Sequence, residues 1–183
     1  PDQARDAPMA TGDHVLMQLE IPLESVAAAI SKAREAGAIS ILNTAPFHPH
    51  AVALMEKADI TVANETEFDL ASEAMGLDDP ERKSRMAAFV RRTGRTLIVT
   101  LGGDGAIAAT PQGFISVPAL PIKPIDTVGA GDTFCGFFGA ALDAGHDLET
   151  AMRRASAAGS LACLKPGAQP SIPSAAEVDA ALS

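Results

Sequence analysis

Residues 126–138, Asp-Thr-Val-Gly-Ala-Gly-Asp-Thr-Phe-Cys-Gly-Phe-Phe, hold the residue types best suited to chemistry. Gly129, Ala130 and Gly131 leave backbone amides uncovered where a helix is predicted to begin, and Phe134, Phe137 and Phe138 mark its apolar face. First-turn amides lack intrahelical partners and the macrodipole is positive there, so such a terminus attracts anions. Asp132 places a carboxylate where a negative charge is expected to bind. One chemistry uses both features: the amides hold charge developing on a transferred phosphoryl group, while Asp132 takes the proton of an attacking hydroxyl. A helix capped by Asp132, with glycines serving a tight turn, accounts for the same residues. No Gly-Lys-Ser/Thr follows, so the run is not a Walker loop, and without a third glycine it is not a dinucleotide-binding fingerprint.

Three further clusters carry polar chemistry. Asn64-x-x-Glu67 has the spacing of a capping box. Thr100-Leu101-Gly102-Gly103-Asp104-Gly105 reads either as a strand followed by a turn, or as glycines against which a nucleotide lies, with Thr100 offering a hydroxyl. Glu20 closes an apolar run. The histidines at 14, 48, 50 and 146 are scattered and are assigned no chemistry.

The elements that must position these groups follow from periodicity. Apolar runs predict strands over 14–20, 38–42, 59–63 and 96–101, and a hairpin over 106–110 and 114–117 around Pro111-Gln-Gly113. Helices are predicted from Pro22, as a first-turn residue, to a stop at Gly37, and over 51–57, 65–75, 81–93, from the central motif to Gly145, 147–164 and 174–182, the last capped by Ser174. A Pro/Gly loop fills 165–173. The alternation predicts a mainly parallel α/β sheet with helices on both faces, a three-layer α/β/α arrangement. Ligands of such sheets collect at the carboxyl ends of the strands, and Glu20, Asn43, Asn64/Glu67, Thr100–Gly105 and Asp126–Asp132 are each expected at one of those ends.

The chain of 183 residues is long enough for one sizeable domain. A formal charge of −9 argues against a nucleic-acid partner, though amides and bound cations can still receive a phosphorylated ligand. Cys135 and Cys163 lie in apolar helical patterns without metal-ligand spacing, which suits buried, reduced thiols in a cytoplasmic setting. These residues contain neither a basic–apolar leader nor an apolar run of about 18 residues, so no export signal and no membrane span are expected.

Asp126-Thr-Val-Gly-Ala-Gly-Asp132-Thr-Phe134 resembles the C-terminal motif of the ribokinase (PfkB) carbohydrate kinase family, and Asn64-x-x-Glu67 resembles its second hallmark. The resemblance covers nearly all of residues 13–183. It implies a ribokinase-like fold, incomplete at the N-terminal side, with 1–183 forming the C-terminal part of the ATP-binding and catalytic domain and the lid and N-terminal sugar-binding part absent. It implies Asp132 as catalytic base and Gly129, Ala130 and Gly131 as the anion hole. ATP is expected at Asn64, Thr100–Gly105, Gly131 and Ser156, where Ser156 replaces a histidine found beside the adenine in some ribokinases. Magnesium is expected near Glu67 through water. Glu20 matches a sugar-binding carboxylate and points toward ribose; a carboxylate suits a polyol because it accepts charge-assisted hydroxyl hydrogen bonds. Lys165-Pro-Gly-Ala-Gln-Pro-Ser171 resembles a potassium loop, whose ligands would be carbonyls of Asp126, Val128, Ala162, Lys165 and Gly167 with Ser171. The expected activity is ATP-dependent conversion of D-ribose to D-ribose 5-phosphate. Alternatives are a relative acting on fructose, a nucleoside or a sugar phosphate, and a non-catalytic nucleotide-binding protein of the same fold. A homodimer is implied for the full-length protein, and residues 1–183 alone are expected to be inactive.

Overall fold

A computed structural model describes residues 1–183. The elements are α1 (Asp2–Asp6), β1 (His14–Met17), α2 (Leu23–Ala36), β2 (Ile39–Asn43), α3 (Val52–Met55), β3 (Ile60–Asn64), α4 (Glu65–Met75), α5 (Arg82–Thr93), β4 (Thr96–Thr100), β5 (Ala106–Thr110), β6 (Gly113–Val117), α6 (Ala130–Asp143), α7 (Leu148–Ala162) and α8 (Ala175–Leu182). Their strands form one six-stranded sheet in the order β1-β2-β3-β4-β5-β6. β1 and β2 run parallel with His14 opposite Ile39, and β2 and β3 run parallel with Asn43 opposite Val62. The middle strands are buried as continuous runs, as sheets covered on both faces require. Residues 101–105 and the pair Pro111-Gln112 are too short for crossovers, so β4, β5 and β6 alternate in direction.

Chain contacts divide the protein into two compact units. Pro1–Val99 with Ala108–Ile115 form the first, whose core includes Ile30, Ile41, Leu42, Phe68, Phe89 and Ile98. Thr100–Ile107 with Ser116–Ser183 form the second. Here α6 packs on α7 and α7 on α8, with Phe138, Met152 and Val178 wholly buried.

Local differences from the sequence expectation have physical causes. The first strand stops at Met17, and Glu20 lies exposed in a bend beyond it. The Leu19 amide there donates to the Ala45 carbonyl at 3.1 Å. Pro22 sits at the N-cap of α2, just outside its first turn. The helix expected over 51–57 is a 3-10 turn at Pro49–Ala51 followed by one α-turn, and residues 2–6 of the polar lead form a short helix. The 165–173 loop contains a 3-10 turn at Gln169–Ser171.

Candidate active site

In the second unit the site is built from the start of α6. Gly129 occupies its N-cap with φ 76°, a left-handed conformation that only glycine adopts without strain. The Ala130 amide closes a turn onto the Thr127 carbonyl at 3.2 Å. Glycine offers no side chain to the first turn, and no side-chain cap hydrogen bond is made there. Asp132 sits inside that turn and is exposed, so it does not serve as the N-cap residue.

Beside this terminus lies a cleft of about 310 Å³. Ala130 and Gly131 line it together with Thr100, Gly102, Gly103, Gly105 and Ser156, joining three separately predicted segments. Leu101, Asp104, Gly129 and Asp132 are not among the lining residues. Gly105 lets the turn close: a Cβ on it would stand 2.1 Å from the Val117 carbonyl oxygen.

The opposite wall is Ala119, Leu120, Pro121, Ile122 and Pro124, which sequence reasoning missed. The available signal was an apolar, proline-rich linker too irregular for a strand or helix. Two serines of α7 hold it. Ser156 Oγ donates to the Pro118 carbonyl at 2.9 Å, so its hydroxyl proton is committed to the wall. The Leu120 amide donates to Ser160 Oγ at 3.1 Å. Thr127, Phe134, Gly159, Ser160 and Cys163 complete the cleft. Burial pushes the Cys163 thiol up, with the nearby Asp126 charge adding to the effect, so this wall presents a neutral thiol.

Asp126 fixes the approach to the helix. Its carboxylate accepts the Gly167 amide at 2.8 Å and the Val128 amide at 3.0 Å, tying the turn before α6 to the 165–171 loop. The Gly167 bond, followed by the Val128 bond, holds this carboxyl below the usual range. Ser171 is buried and donates to the Ala168 carbonyl at 2.7 Å. Ala162 ends α7, where carbonyl dipoles are negative. Backbone carbonyls, a helix C-terminus and an ionised carboxylate are a donor set that fits a hard monovalent cation.

In the first unit, parallel β2 and β3 bring Asn43 beside Val62, and α4 starts directly after β3. Asn64 caps α4: its Oδ1 accepts the Glu67 amide at 2.8 Å, and Glu67 Oε2 accepts the Asn64 amide at 3.0 Å. Thr44, also missed from sequence, donates to the same Glu67 oxygen at 3.0 Å. These bonds use Oε2 and not Oε1, so Glu67 fits outer-sphere attachment to a magnesium ion, which keeps several waters and needs few carboxylates. No helix of the protein is long and apolar enough to cross a membrane.

A mainly parallel α/β sheet, glycine turns and a helix terminus without a side-chain cap beside an apolar cleft define an α/β protein with a small-ligand cleft. The chain belongs to the pfkB family of carbohydrate kinases, which it matches over residues 6–175. It is 36% identical over 174 residues to the bifunctional ribokinase/ribose-5-phosphate isomerase A of Fructilactobacillus sanfranciscensis, covering 93% of this chain and 32% of that protein. To the ribokinase of Staphylococcus aureus it is 35% identical over 177 residues, 96% of this chain and 58% of that one. The solved ribokinase of Arabidopsis thaliana complexed with ribose and ATP superposes with a TM-score of 0.84 at 30% identity, covering 99% of this chain and 57% of its own. The chain thus spans 58% or less of the curated relatives named here.

Proposed function

We propose that the complete protein phosphorylates D-ribose at its 5-hydroxyl, using ATP. One observation carries the reading most directly. The start of α6, which no side chain caps, lines the same cleft as Thr100, Gly102, Gly103 and Gly105, so a nucleotide laid along those glycines would direct its phosphates at a helix N-terminus. A cleft of about 310 Å³ has the volume of a small-ligand site.

Asp132 accepts the proton of the sugar hydroxyl as it attacks. The amides of Gly129, Ala130 and Gly131 stabilise charge on the phosphoryl group in transit. Asn64 and Glu67 order the metal–phosphate region, with Glu67 acting through a magnesium-bound water, and Glu20 binds the sugar. The loop residues Asp126, Val128, Ala162, Lys165, Gly167 and Ser171 would hold potassium and stiffen the turn before α6. Bound magnesium would supply charge neutralisation at the phosphates. Similarity to ribokinases, one of them solved with ribose and ATP, supports the choice of sugar.

The test is ADP release by the full-length protein against a panel of D-ribose, D-fructose, nucleosides and sugar phosphates. Highest kcat/KM on D-ribose is expected. A preference for another member reassigns the substrate within the family. Absence of sugar-dependent release from every member would leave a nucleotide-binding protein without this activity.

A further inference from the structure

On the reading above, in which Glu67 attaches to magnesium through water, we infer that Thr44 is a positioning residue that sets which Glu67 oxygen meets the metal. The sheet register brings the two residues together. Asn43 lies opposite Val62, and the Thr44 amide continues the ladder by donating to the Val62 carbonyl at 2.9 Å. Thr44 thereby stands next to the β3–α4 junction and is fully buried, at 0% exposure. Its hydroxyl lies 3.0 Å from Glu67 Oε2 and 3.3 Å from the Val62 carbonyl oxygen. With a single proton to give, it favours the carboxylate, because that bond is shorter and charge-assisted.

Glu67 Oε2 therefore receives two donors, the Asn64 amide and the Thr44 hydroxyl. A capping box by itself needs only the first. The second comes from the residue just after β2 and locks the carboxylate plane, so that Oε1 is the oxygen presented to hydrated metal. Without Thr44 the carboxylate would turn about its last bond and divide its time between two oxygens. Groups that orient a metal's partners in this way typically change metal affinity about 10- to 100-fold when removed.

The experiment measures Mn²⁺, as a spectroscopic substitute for magnesium, by electron paramagnetic resonance titration of the full-length protein with ADP present. Thr44→Val, which removes the hydroxyl but keeps the branched shape, should weaken Mn²⁺ binding about tenfold. Thr44→Ser should restore it to within about twofold, a recovery that packing alone would not give. Affinity for metal-free ADP should stay unchanged in both variants, whereas general loosening of the fold would weaken it as well. Glu67→Gln is the reference. Loss of Mn²⁺ affinity in Glu67→Gln but not in Thr44→Val overturns the positioning role alone. Unchanged affinity in both overturns the role of Glu67 and this inference with it. Loss in Thr44→Val accompanied by loss of metal-free ADP binding also overturns it.

Discussion

Gly105 shows how narrowly the turn after β4 is built. Its φ of 97° lies where side-chain-bearing residues are strained, and an added Cβ would meet the Val117 carbonyl oxygen at 2.1 Å. Backbone strain and overpacking each cost about 1–3 kcal/mol. Gly105→Ala should therefore lose roughly 2–6 kcal/mol in chemical unfolding, the sum of those two costs. Gly103 lines the same cleft, but a Cβ there would meet nothing within 4 Å, so Gly103→Ala should stay within about 0.5 kcal/mol of the parent. Equal losses in the two variants would contradict the close approach seen at Gly105. The glycines themselves were visible in the sequence; which of them touches another backbone was not. The side-chain roles of Asp126 and Thr44 were hidden for a related reason. The Gly167 amide that Asp126 accepts and the Glu67 carboxylate to which Thr44 donates lie 41 and 23 residues away, beyond any local pattern.

At the scale of elements, the caps predict how stability follows pH. Asp147 caps α7 by accepting the Thr150 amide at 2.8 Å, and Glu177 accepts the Ser174 amide at 2.7 Å at the start of α8. The Thr150 bond lowers the Asp147 pKa, and the Ser174 bond lowers that of Glu177. Asp126 is lowered in the same direction by Gly167. A carboxyl depressed on folding contributes stability that is fully present above its unfolded pKa of about 4 and is lost as pH falls through the lowered folded value. Denaturant midpoints measured from pH 7 to pH 2.5 should fall on the acid side, and Asp147→Asn should flatten part of that fall. An unchanged acid slope in Asp147→Asn would contradict the cap.

Elements defined by local chemistry were legible. The α4 and α5 helices follow the 3.6-residue pattern, and β5 and β6 flank a turn at Pro111-Gln112, so all were read to within a residue. β1 was overread because apolar Leu19 looks like strand; its amide instead bonds the Ala45 carbonyl, outside the β1–β2 ladder. The 119–124 wall was missed because its apolar residues repeat with neither strand nor helix period. Ser160 and Ser156, some 40 residues on, bond that wall, and Leu120 packs against Ala157, Ala158 and Val178.

At the scale of the molecule, β1 is an edge strand of the sheet, with Leu16 within it 40% exposed and Ile21 beyond it 50% exposed. Unpaired edges with apolar neighbours recruit other chains. Residues 1–183 produced alone should self-associate in light scattering. A monodisperse monomer would contradict this. The central claim concerns Asp132 beside the uncapped start of α6, where an alcohol would lose its proton next to a held phosphate. Asp132→Asn in the full-length protein, assayed for sugar-dependent ADP release with ATP and ribose affinities measured in parallel, tests it most directly. The account predicts intact binding and turnover reduced by about 10²–10⁴. Turnover equal to that of the parent would contradict it.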